Sequence, residues 1–104
     1  MTKEYNKLVR DKIPEIIIAS GAVPTTHIAK DDEYRRLLLT KLQEEAAEFV
    51  EEPNQEEAAD ILEVLNAMCD LMGWNMEDIQ RLRQEKAKKR GGFKQRIILD
   101  SVEE

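Results

Sequence analysis

Glu44-Glu45-Ala46-Ala47-Glu48-Phe49-Val50-Glu51-Glu52-Pro53-Asn54-Gln55-Glu56-Glu57-Ala58-Ala59-Asp60 is the stretch on which the fold turns. It holds an E-x-x-E pair, Glu45 and Glu48, and an E-x-x-D pair, Glu57 and Asp60. A spacing of three puts both members of a pair on one face of a helix. Between the pairs stands Pro53, which cannot continue a helix interior, followed by Asn54, a residue suited to turns and caps. The stretch therefore reads as two helices folded back on each other, with acids on both sides of the turn.

Working outward, the second helix covers roughly residues 33–51, capped by Asp31 or Asp32, and the third roughly 55–72, closed by Gly73. A first helix spans roughly 12–20, with Asp11 as its cap, Pro14 in its first turn and Gly21 at its end. Asn75 with Asp78 resembles a capping arrangement, opening a fourth helix to about Lys89 that Gly91-Gly92 breaks. Residues 1–10 read as extended, and Ile97-Ile98-Leu99 reads as a short strand or docking arm. The expected architecture is an all-α antiparallel bundle of four to five helices, a single domain over residues 1–104, with short extended ends.

Composition narrows the class. With 37% charged and only 5% aromatic residues, the core must come from aliphatic side chains under solvated outer faces. A net charge of -6 argues against general nucleic-acid binding. The lone cysteine, Cys69, rules out an internal disulfide and reads as buried packing in a reducing compartment. No apolar run approaches membrane-spanning length and no signal-peptide pattern is present, so the expectation is a cytoplasmic protein without membrane association. Trp74, just past the helix-ending glycine, is expected to anchor the turn, and His27 has no cysteine or second histidine to suggest a metal role.

Helical phase separates the acids from one another. Positions seven or eleven apart differ by about 20° around a helix. Tyr34, Leu38, Leu42 and Phe49 mark the apolar stripe of the second helix, flanked by Leu37. Glu45 lies seven beyond Leu38, inside that stripe, and Glu48 eleven beyond Leu37, at its edge. In the third helix Glu57 is seven before Val64, and Asp60 is seven before Ala67. All four are expected on the core side, whereas Glu44, Glu51, Glu52 and Glu56 read as solvated. Buried carboxylates need a cation, either Lys or Arg from elsewhere in the chain or a metal. Oxygen ligands at this density suit Mg²⁺ or Mn²⁺ rather than zinc. Mg²⁺ shares its shell with phosphates, so the natural chemistry is metal-assisted attack on a phosphoanhydride, one carboxylate orienting or deprotonating water. Two basic clusters offer contacts for the phosphates. One holds Lys7, Arg10 and Lys12, and the other runs from Lys86 to Lys94 around Gly91-Gly92.

With these residues in place, the chain resembles the MazG-like all-α nucleoside triphosphate pyrophosphohydrolase superfamily. The resemblance rests on Glu44, Glu45 and Glu48 followed by Glu57 and Asp60. Tyr5 to Pro14 and Lys89-Arg90-Gly91-Gly92-Phe93 look like the phosphoribosyl-ATP pyrophosphohydrolase-like, house-cleaning subgroup. The resemblance implies Mg²⁺-dependent cleavage between the α- and β-phosphates of a nucleotide, giving a monophosphate and pyrophosphate. It implies metal ligation by Glu45, Glu48, Glu57 and Asp60, with Glu44 orienting water or supporting the ligands. Lys7, Arg10, Lys12, Lys89 and Arg90 are the expected phosphate contacts, and a homodimer or homotetramer is the expected assembly. Only eight residues separate Glu48 from Glu57, shorter than is usual for the family, in a region that often helps cover the base. A rival of another class is a noncatalytic helical module holding metal, nucleotide or a protein partner. Within the enzyme class, phosphoribosyl-ATP is the competing substrate.

Overall fold

The α2–α3 hairpin organises the chain. In the computed structural model, which describes residues 1–104, the helices are α1 (Ile13–Ala19), α2 (Asp31–Glu51), α3 (Gln55–Met72) and α4 (Met76–Arg90), and there is no strand. The turn at Glu52-Pro53-Asn54 is short, and α2 and α3 pack along each other as an antiparallel pair. Asn54 makes the reversal definite. Its side chain accepts a hydrogen bond from the backbone N–H of Glu57 at 2.9 Å, satisfying a donor that the helix start leaves open. At the other end Gly73 takes the left-handed conformation, φ 72°, and its N–H reaches the Cys69 carbonyl.

The chain divides into two compact units, Met1–Gly73 and Trp74–Glu104. The first contains α1 and the hairpin. Its core is small: Leu38 and Cys69 are the two buried residues, at 3% and 4% exposure. Tyr34, Leu37, Leu42 and Phe49 are half-buried around Leu38, as the helical phase of α2 requires. On α3 the half-buried face is Ile61, Val64, Ala67, Met68 and Leu71. Leu62, Leu65 and Met72 stand exposed, so α3 is apolar on two sides and only one of them is covered. In the second unit Asn75 caps α4 by accepting from Glu77 N–H at 2.8 Å, and Lys88, Lys89 and Arg90 occupy its last turn, where the helix dipole favours cations. No helix is long and apolar enough to cross a membrane.

Four local expectations are corrected. Asp11 does not cap α1; Lys12 holds the cap position, and the N–H of Ile13 is taken by the Arg10 carbonyl at 3.1 Å. Asp31 and Asp32 lie inside the first turn of α2 behind Lys30, where they complement the dipole without a capping hydrogen bond. Ile97, Ile98 and Leu99 form no strand, having no partner to complete a ladder, and are exposed. Trp74 is 53% exposed, because Gly73 closes the helix without an aromatic anchor.

The cap is testable. Asn54→Ala should lower unfolding free energy in urea titrations by about 1 kcal/mol, and Asn54→Asp should keep most of the parent's stability, since a carboxylate can accept the same bond.

Candidate functional site

Two helices bring the acids together. Glu45 comes from the last third of α2, and Glu57 and Asp60 from the first two turns of α3, so the short turn between the helices sets their separation. One carboxylate oxygen from each of Glu45, Glu57 and Asp60 lies within 4.8 Å of the other two. The Glu45 side chain is 13% exposed and that of Asp60 38%. One oxygen of Glu45 and one of Glu57, both Oε2, are buried without any hydrogen-bond partner. A buried acceptor left open is costly, and native folds seldom keep one without a ligand or water to fill it.

Glu48 departs from the expected pattern. It is solvent-exposed, consistent with its place at the edge of the α2 stripe, and it stands outside the group of three. It still faces that group, since its carboxylate raises the pKa of both Glu45 and Glu57. Burial is the larger cause for each: it pushes Glu45 and Glu57 above the ordinary glutamate value; for Glu57 a hydrogen bond with Glu48 comes next, and the charges of Glu48 and Asp60 add to both rises. Lys41, one turn before Glu45, pulls Glu45 the other way. Its Nζ stands 3.6 Å from Glu44 and 4.0 Å from Glu45. Glu44, with its side chain 39% exposed, shares Lys41 with Glu45 and is not one of the three converging acids.

The basic residues divide. Arg10 reaches the acids directly, its Nη2 donating to Asp60 Oδ1 at 2.7 Å across 50 positions of sequence. Lys7 and Lys12, in the same segment, are exposed and form no ion pair. Lys89 and Arg90 belong to the second unit, where Arg90, Gly91, Gly92, Phe93 and Lys94 line a surface groove of about 450 Å³. Another groove, of about 470 Å³, runs along Asp32, Arg36, Leu39 and Gln43 on the outer face of α2 and includes none of the acids. The sequence reading missed Lys41 as a neighbour of the acids, although its spacing of three and four before Glu44 and Glu45 is the signal for it. It also missed that Arg10 pairs with Asp60, for which no local signal exists. His27 pairs with Glu33, its Nε2 at 2.9 Å, away from the acids.

The donor set suits a small hard cation. An octahedral Mg²⁺ shell places neighbouring oxygens about 3 Å apart and opposite ones about 4 Å apart. The separations among Glu45, Glu57 and Asp60 need only a modest contraction to meet that, and the two orphaned oxygens are the acceptors such an ion would satisfy. All donors are oxygens, with no thiol or imidazole in the group.

Comparison with known proteins adds one relative. An uncharacterized protein of Mycolicibacterium smegmatis is 54% identical over 43 residues, which is 41% of this chain and 44% of that protein. The match thus spans less than half the length of the relative. No family model matches the chain, and no solved structure matches it.

The raised pKa values have a consequence for stability. The folded chain holds protons on Glu45 and Glu57 more tightly than the unfolded chain does. Their favourable contribution is therefore complete below the ordinary value of 4.5 and is lost as pH rises through the folded values. In chelator, the double variant Glu45→Gln, Glu57→Gln should match the parent near pH 4 and become the more stable of the two as pH approaches 7. Parallel urea unfolding across that range checks it; a parent that gains on the variant with rising pH would contradict the assignment.

Proposed function

We propose that this chain is a Mg²⁺-dependent nucleotide pyrophosphohydrolase built on a MazG-like all-α bundle. It would cleave the α–β phosphoanhydride of a nucleoside triphosphate or a related nucleotide. The observation that carries the reading is the meeting of Glu45, Glu57 and Asp60 within 4.8 Å, with two buried oxygens left open. Glu48, at the exposed edge of that group, completes the proposed ligand set. Mg²⁺, or Mn²⁺ in its place, would draw charge from the phosphate oxygens when bound.

The chain's own groups do the rest. Glu44, with Lys41 3.6 Å away, is the group proposed to orient a water and accept its proton. The water oxygen bonds to phosphorus as the anhydride bond breaks, and the monophosphate and pyrophosphate part. Lys7, Arg10 and Lys12 are the proposed phosphate contacts beside the acids, and Lys89 and Arg90, next to Gly91-Gly92, are proposed as phosphate contacts of the second unit taken by itself. Assembly with further copies of the chain, as a homodimer or homotetramer, belongs to the same reading. Its support is the uncovered apolar face of Leu62, Leu65 and Met72 over a core of only two buried residues.

The Arg10–Asp60 pair favours a second reading, because it partly neutralises the acids within the chain itself. On that reading the domain is a noncatalytic module that binds metal, nucleotide or a protein partner without turnover.

A panel of nucleotides with Mg²⁺, assayed for pyrophosphate, decides between the two. Release should cease in chelator and fall about 10²-fold or more in Glu45→Gln. Nucleotide-dependent thermal stabilisation without release for any nucleotide would establish the noncatalytic reading instead.

A further inference from the structure

Among the charged side chains of the first unit, Arg10 is the one that enters the acid group by a direct hydrogen bond. Its guanidinium meets Asp60 at 2.7 Å, whereas Lys41 stays 3.6 Å or more from its acids. The backbone of Arg10 is held where α1 begins, through its carbonyl to the N–H of Ile13. The side chain is not held in the same way. It is 58% exposed and makes one hydrogen bond, to one oxygen of Asp60. Pairs this exposed are weak and readily exchanged.

We propose that Arg10 is an internal counterion that gives way to the divalent metal and then takes a phosphate of the incoming substrate. The inference rests on reading Glu45, Glu57 and Asp60 as a divalent-cation site. A guanidinium cannot shed its charge by losing a proton, so it relieves repulsion from a nearby divalent ion only by moving. The oxygen it holds belongs to one of the three acids that converge, so metal and arginine compete for Asp60. Once free, the guanidinium remains tethered beside the acids by its fixed backbone. Its planar fork matches a phosphate better than a single carboxylate oxygen. The arrangement orders events: metal first, phosphate second.

Three measurements on the full chain test it. In calorimetry with Mn²⁺ alone, Arg10→Gln should bind the ion roughly two- to fivefold more tightly than the parent, the range expected on removing a weak competing pair. With Mg²⁺ saturating, inorganic pyrophosphate should bind Arg10→Gln several-fold more weakly. In the unaltered chain, Mg²⁺ without any nucleotide should shift the Arg10 guanidinium NMR signals toward those of a mobile arginine, a readout that requires no variant to fold. Unchanged or weaker Mn²⁺ binding by Arg10→Gln, unchanged pyrophosphate binding, or guanidinium signals indifferent to Mg²⁺ would each overturn the proposal. The parent failing to bind Mn²⁺ would overturn it together with the metal reading. The expected shifts in a chain that hydrolyses no nucleotide would support it while the enzyme reading fell.

Discussion

Three carboxylates converging inside a two-helix hairpin are the constraint that the first unit is built around. Like charges taken partly out of water repel, and the fold answers in several ways at once. Burial raises the proton affinity of Glu45 and Glu57. Arg10 is brought across 50 positions of sequence to neutralise Asp60. Lys41 lies alongside Glu44 and Glu45 on their own helix. Even so, an oxygen of Glu45 and one of Glu57 remain without partners. A fold that needed only stability would replace such a group with aliphatic side chains, which are often at least as stabilising. The proposed binding role would account for that cost.

The rest of the unit is subordinate to holding the acids in register. The short turn and the Asn54 cap fix where α3 starts, and the packing of Leu38 against the α3 face fixes how α2 lies along it. That packing is thin. A helix that is apolar on two sides, as α3 is, contributes only one of its apolar faces to the core of the isolated chain.

Much of this was legible because it is local. Pro53-Asn54, Gly73 and Asn75 each act on their own helix ends, so their chemistry can be read from a few neighbouring residues, and the third helix falls at Gln55–Met72 as its punctuation requires. Phase likewise placed Glu45 inside the stripe of Leu38. It failed at margins. Glu48 sits at the stripe's edge, where a small rotation decides between core and solvent. On α3, Leu62, Leu65, Met68 and Met72 recur at helical spacing, yet three of the four face outward, since periodicity cannot say which of two apolar faces the neighbouring helix will choose. The Arg10–Asp60 pair had no sequence signature at all, being a product of how the N-terminal segment returns to α3.

The Asn54 side chain bonds the N–H of Glu57, one of the three converging acids. Capping of the helix and placement of that carboxylate thus share one residue. Helix ends fray more readily than helix middles, so the first turn of α3 is the natural place for the hairpin to open locally. Such an opening would carry Glu57 away from Glu45 while most of α3 stayed wound. An ion held between them would act as a clasp on that turn, slowing amide exchange there far more than in the remainder of the helix.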